Sequence, residues 1–105
     1  MNWVYILFSP SLDRHYIGQS ADLIERFTQH LAGATQSTCA AQDWLIVFIE
    51  PVADLRHAMA LERRIKLSKS RKTIQRFARD PRNQVRQPVS IRDWLKARES
   101  SGTVR

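Results

Sequence analysis

Six consecutive apolar residues, WVYILF at 3–8, are rich in β-formers and predict a strand covered on both faces. The turn-prone SPSLDR follows. Residues 15–19 then read as the antiparallel hairpin partner, with Gly18 ending it. A helix is expected over 22–32, capped by Asp22 at its start and Gly33 at its end. The small polar stretch ATQSTCAAQD at 34–43 reads as a loop, and WLIVFIE at 44–50 as a further strand closed by Pro51. Asp54 can cap a second helix over 55–67, and a basic helix is expected over 70–79. Two prolines in DPRNQVRQP interrupt the pattern before a last short helix, SIRDWLKARE, docked through Ile91, Trp94 and Leu95. The order β-β-α-β-α-α implies a small α/β domain with a three-stranded sheet. Residues 1–80 form the domain on this reading, and 81–105 an extension ending in a frayed tail from residue 100.

A chain of 105 residues with 43% hydrophobic content supports one modest core. Its net charge of +7 favours a polyanionic partner. Ten of the basic residues fall within 56–82 against only Glu62 and Asp80, a bias beyond what solubility requires. A stripe including Lys66, Lys69, Arg71, Lys72 and Arg76 is suited to run along a nucleic-acid backbone, contacts that position without reading sequence. Cys39 is the single cysteine, which leaves no disulfide framework and suits a reducing, cytoplasmic setting. The opening MNWVYILF has no basic segment ahead of its short apolar run and does not read as a secretory signal. No run reaches transmembrane length, so no membrane association is expected.

Several side chains stand out chemically. On helical spacing Leu55, Ala58, Met59 and Ile65 form an apolar stripe, and Glu62 falls inside it. A carboxylate so placed is costly unless a cation receives it. Either an ion pair with Arg26 or another arginine answers this, or Glu62 is a ligand for a hard divalent cation such as magnesium. In the first helix Leu23, Ile24, Phe27 and Leu31 form the expected core stripe, with Arg26 and His30 along its edge. These two are either a surface pair or a phosphate-binding fork beside a group that exchanges protons near neutral pH. Tyr5 and Tyr16 are either core tyrosines or phenols that orient water or a phosphate oxygen. Gly18 suits a close approach of chains.

Together these residues resemble the GIY-YIG nuclease domain in its compact stand-alone form, over about residues 2–78. WVY at 3–5 stands where the family's first tripeptide falls, and YIG at 16–18 matches the second after ten intervening residues. DLIERFTQH resembles the family's helix and supplies Arg26 and His30. DWLIVFIE fits the third strand, and AMALERRIKLSKSRKTI the helix carrying the metal-binding glutamate, here Glu62. The resemblance departs at Trp3, which stands for a glycine, at Val4, which stands for an isoleucine, and in KLSKSRK, which lacks an aromatic. Asn83 is the one asparagine available downstream for the position many members use.

That resemblance implies an α/β sandwich around an antiparallel sheet and metal-dependent phosphodiester cleavage, with magnesium or manganese as cofactor. Tyr5, Tyr16, Arg26, His30 and Glu62 are then the expected catalytic set, Glu62 the metal ligand and Tyr5 or His30 the base. The expected partner is nucleic acid, above all DNA, with no obligate protein partner evident. A non-catalytic nucleic-acid-binding module and a scaffold for a protein partner are the rival readings. No second DNA-binding domain is evident, so little sequence specificity is expected, and branched, flapped or damaged DNA, as in repair, stands beside plain duplex.

Overall fold

The computed structural model describes residues 1–68 and 70–103, with 99–103 as backbone only. Its elements are β1 (Asn2–Ser9), β2 (Arg14–Ser20), α1 (Leu23–Leu31), β3 (Leu45–Val52), α2 (Leu55–Ser68), α3 (Arg71–Arg79), β4 (Val89–Ser90) and α4 (Ile91–Thr103). The strands make one antiparallel sheet in the order β2-β1-β3-β4. The apolar run therefore lies between two partners, and Val4, Tyr5, Ile6 and Leu7 are fully buried as expected of such a strand.

The sheet has four strands where three were expected. Val89 and Ser90 pair with Ile46 and Leu45, a two-residue ladder too short to leave an alternating pattern in the sequence. β3 also runs through Pro51 to Val52, because Pro51 sits near the end of the strand, opposite Trp3. Gly18 does not end β2, which continues to Ser20. Past the second proline α4 extends to Thr103, so residues 100–103 are helical rather than frayed.

Side chains alternate between two helical layers. Tyr5, Leu7, Ile46 and Ile49 face α1 and α4 through Leu23, Phe27, Ile91 and Trp94, and Phe27 meets Trp94 edge to face at 5.0 Å. Val4, Ile6 and Phe48 face α2 and α3 through Ala58, Ile65 and Ile74. A register shift between Ile6 and Leu7 leaves Val47 out of the ladder with β1. Asn83 closes that gap: its amide nitrogen donates to the Val47 and Ala78 carbonyls at 3.0 and 2.9 Å, and its oxygen accepts from the Ile49 and Val85 amides at 3.0 and 2.9 Å. Asn83 is thus a buried backbone clamp.

Helix α1 buries a different face from the one its spacing suggests. Asp22 accepts from the Glu25 amide at 3.1 Å, and Gly33, at φ +72°, closes the far end with Gly33 N–H on the His30 carbonyl and Ala34 N–H on Gln29. The N-cap is as expected; the C-cap is Ala32, and Gly33 is the left-handed residue directly after it. Between them the buried residues are Leu23, Phe27 and His30, while Ile24 is 53% exposed and Leu31 38%. The polar His30 takes the place in the core that its apolar neighbour was expected to fill. Among the described residues no helix is long and apolar enough to cross a membrane.

Candidate active site

The β1–β2 register sets Tyr5 opposite Gly18, with Tyr16 two residues from Gly18 on the same face. A Cβ at Gly18 would lie 2.6 Å from the Tyr5 hydroxyl oxygen and 2.9 Å from the Tyr16 ring. Glycine is therefore required here for close approach, with no positive φ involved. α1 crosses this face with Arg26 and His30 one turn apart. The Tyr5 hydroxyl meets His30 Nε2 at 2.8 Å and accepts from Arg26 Nε–H at 3.3 Å. Arg26 Nη2 reaches the Tyr16 hydroxyl at 3.5 Å, and Nη1 donates to Gln29 Oε1 at 3.2 Å. The Tyr16 and His30 rings stand edge to face at 5.3 Å.

Four of the five expected catalytic residues are thus brought to one place, in two layers. Tyr5 and His30 are buried, whereas Tyr16, Arg26 and Gln29 are only half-buried and form the outer surface. Burial, opposed by the Arg26 hydrogen bond, pushes the Tyr5 phenol well above its ordinary value of 10.0. Burial, and then the nearby Arg26 charge, pull His30 down from 6.5 to about 4. At neutral pH the pair is a phenol beside a neutral imidazole. Arg26 is held still more firmly in its charged form, first through its hydrogen bond to Tyr5.

Among the described residues Glu62 forms no hydrogen bond or ion pair with these four. α2 packs on β1 and β2 from the opposite side of the sheet, through Ala58 and Ile65. Of the expected apolar stripe Ala58 and Ile65 are buried, whereas Leu55 and Met59 are largely exposed. Glu62 lies on the shoulder of the helix, its side chain 22% exposed, 3.5 Å from Lys66 one turn later. Its partner is a lysine rather than the arginine considered above. A single carboxylate open to solvent is a donor set that fits magnesium or manganese, hard cations that take one or two carboxylates and otherwise keep water and phosphate oxygens. Among the described residues no group of three His, Cys, Asp or Glu side chains forms a ready-made cage.

The basic stripe is divided. Lys66 faces Glu62, and Arg71 pairs with Asp13 at 2.7 Å and with its carbonyl at 3.3 Å, fastening α3 to the β1–β2 turn. Lys72 and Arg76 are exposed, and Lys69 lies outside the described residues. Two residues of the site were not singled out from the sequence. Gln29, at i+3 from Arg26, was within reach of a helical-spacing argument. Thr38, fully buried in the small polar stretch, holds His30 Nδ1 at 2.8 Å and had no local signal.

A family model described as the GIY-YIG catalytic domain matches residues 1–75, which include all five candidate catalytic positions. No curated protein and no solved structure matches the chain significantly.

Proposed function

We propose a function from the premise that this chain belongs to the GIY-YIG family: it is a divalent-metal-dependent endonuclease that hydrolyses phosphodiester bonds in DNA with little sequence specificity. The family carries nuclease activity in general. The observation that supports the finer reading is the convergence of Arg26, Tyr16 and the buried Tyr5–His30 pair on one face of the sheet.

Arg26 binds the scissile phosphate and offsets the negative charge that builds on it. Its bonds to the two phenols, 3.3 and 3.5 Å, are long and readily exchanged for phosphate oxygens. Turning outward, Arg26 uncovers the Tyr5 oxygen, and Tyr16 orients the attacking water beside it. Tyr5 accepts the water's proton while its own passes to His30 Nε2, so the base is the pair rather than either residue alone. Glu62 would hold magnesium or manganese, which when bound would supply Lewis-acid stabilisation of the charge on the phosphate. Lys72 and Arg76, with Lys66 and Arg71, contact the DNA backbone on the α2–α3 side, and Lys69 joins them on its place in the sequence alone. The exposed thiol of Cys39 suits a reducing cytoplasm. A module that only bound nucleic acid would have no use for a buried Tyr5–His30 pair.

Plasmid nicking tests this reading. The wild-type protein is expected to nick supercoiled DNA with magnesium or manganese and to stop on chelation. Glu62→Ala should abolish nicking with DNA affinity retained or slightly raised. Wild-type protein that leaves the plasmid intact with both metals contradicts the function, and a variant as fast as wild type contradicts the role of Glu62.

A further inference from the structure

We infer that the groove between α1 and α4 docks an acidic amphipathic helix of a partner protein. The docking does not depend on the nuclease reading above, whereas the use the nuclease makes of it does.

The groove arises because α1 carries more apolar residues than it buries. Leu23 and Phe27 enter the core, while Ile24 and Leu31 stay exposed. Ile24, Thr28 and Leu31 fall on one line along the helix, a span of about 10 Å. Together with half-buried Leu95 of α4 they line a cavity of about 480 Å³. A second cavity of about 480 Å³ shares Ile24 and Arg98 with the first and continues the apolar floor past Met1, Trp3 and Trp94.

The rim is cationic. Arg92, Lys96 and Arg98 line the first cavity, and none of the three forms an ion pair among the described residues. Asp22 is the one acidic side chain lining either cavity, and its carboxylate already accepts from the Glu25 amide at 3.1 Å. The Arg98 guanidinium lies over the Trp94 ring at 4.3 Å. That stacking holds it where the two cavities join and leaves its N–H donors for a carboxylate.

Floor and rim together select the occupant. A duplex backbone is drawn to cations but gains nothing from an apolar floor, and its hydrated phosphates would leave Ile24 and Leu31 wet. A second copy of this chain is disfavoured by charge. A symmetric contact sets Arg92, Lys96 and Arg98 against themselves, and no helix among the described residues carries a net negative charge. A helix with apolar residues one and two turns apart matches the line of Ile24, Thr28 and Leu31, and Asp or Glu beside them meets the rim. Arg26, two residues from both Ile24 and Thr28, lies about half a turn away on the far side of α1. An occupied groove therefore leaves the catalytic fork uncovered. The partner supplies the placement on DNA that sequence-tolerant phosphate contacts do not.

The probes are two fluorescein-labelled synthetic helical peptides with leucines one and two turns apart, one flanked by glutamates and the other by lysines. The glutamate peptide should bind the full chain saturably, with amide shift changes confined to α1 and α4, and the lysine peptide should not bind. Arg92→Glu/Lys96→Glu should weaken the glutamate peptide at least about 10-fold and take the lysine peptide instead, because like charges set together are costly. Ile24→Ser, at an exposed position, should also cost about 10-fold, the size expected of an anchor residue. Duplex affinity should be unchanged in both variants. No binding of the glutamate peptide, equal binding of both peptides, shifts centred on α2 and α3, or variants that bind like wild type would each overturn the inference. So would a loss of duplex affinity in Arg92→Glu/Lys96→Glu as large as in Lys72→Ala/Arg76→Ala, which would make the groove a DNA contact. Phosphatidylserine vesicles that bind the groove more tightly than the peptide would make it a membrane contact and overturn it too. A wild-type chain that takes the peptide in the groove yet never nicks DNA sinks the nuclease reading alone.

Discussion

The two faces of the sheet solve opposite problems. On the α2–α3 face the core is apolar, Val4, Ile6, Phe48, Ala58, Ile65 and Ile74, and charge is kept outside on lysines and arginines. On the α1–α4 face a phenol and an imidazole are buried among Leu23, Phe27 and Trp94, and each polar atom must find a partner there. The first arrangement tolerates movement of its charged groups, since nothing in the core depends on where they point. The second fixes its polar groups to within a hydrogen bond, because misplacing one strands another. Proton transfer that needs set geometry is expected on the second face, and backbone attraction that needs only charge on the first, with Glu62 on the shoulder of α2 as the exception.

Within the second face the largest effect belongs to Arg26. Arg26→Lys keeps the charge but not the planar fork, and it should cost about 2–4 kcal/mol of transition-state stabilisation, comparable to removing one preorganised donor. Steady-state nicking rates read this out, and a drop of less than a few-fold would return Arg26 to an ordinary surface role.

Acid should act chiefly through the buried histidine. The folded state holds His30 near 4 against 6.5 when unfolded, so the unfolded chain binds the extra proton first as pH drops. The stability this contributes is complete above about pH 6.5 and is lost as pH falls towards 4, on the order of 3 kcal/mol for a shift of this size. Urea denaturation at pH 7.5 and 4.5 should show wild type losing more stability than His30→Gln over the same interval; equal losses would mean that His30 is not buried in its neutral form.

Gly18→Ala places a methyl carbon 2.6 Å from the Tyr5 oxygen. A destabilisation of about 1–3 kcal/mol is expected for forcing a group into a filled site, together with a loss of nicking, since the atom displaced is the one that meets Arg26 and His30. A variant with native stability and full activity would show that the tyrosines are free to move apart.

The smallest effect is on the other face. Replacing Lys72 and Arg76 by Ala should weaken binding to two unrelated duplexes alike and flatten the logarithmic salt dependence by as much as about two, at roughly 0.9 for each phosphate that is no longer neutralised. Unchanged slopes would show that α3 does not face the DNA.

How far the sequence reached follows the same division. The strands, the hairpin, the caps at Asp22 and Asp54, the left-handed Gly33 after α1 and the placement of Ile91 and Trp94 were legible, because each has a local cause in periodicity or end chemistry. The nearness of Tyr5, Tyr16, Arg26 and His30 was legible through their family pattern and helical spacing. Spacing could not say that His30, rather than Ile24 or Leu31, is the side chain α1 buries. That preference depends on a hydroxyl from β1 and another from the loop at Thr38, both distant in sequence. The surroundings of Glu62 escaped the sequence for a related reason. Which stripe of α2 is inward is set by the sheet it meets, and small Ala58 with Ile65 wins over Leu55 and Met59. The two-residue β4 and the clamp at Asn83 are likewise tertiary facts with no local periodicity.

The most direct test of this division is one single-turnover experiment on a defined duplex, with wild type, Arg26→Lys and Lys72→Ala/Arg76→Ala compared across protein concentration in magnesium. The account predicts that Arg26→Lys lowers the maximal cleavage rate with a nearly unchanged half-saturation point, whereas the double variant raises the half-saturation point and reaches the wild-type maximal rate. The opposite pattern, with binding impaired at Arg26 and the rate impaired at Lys72 and Arg76, would contradict it.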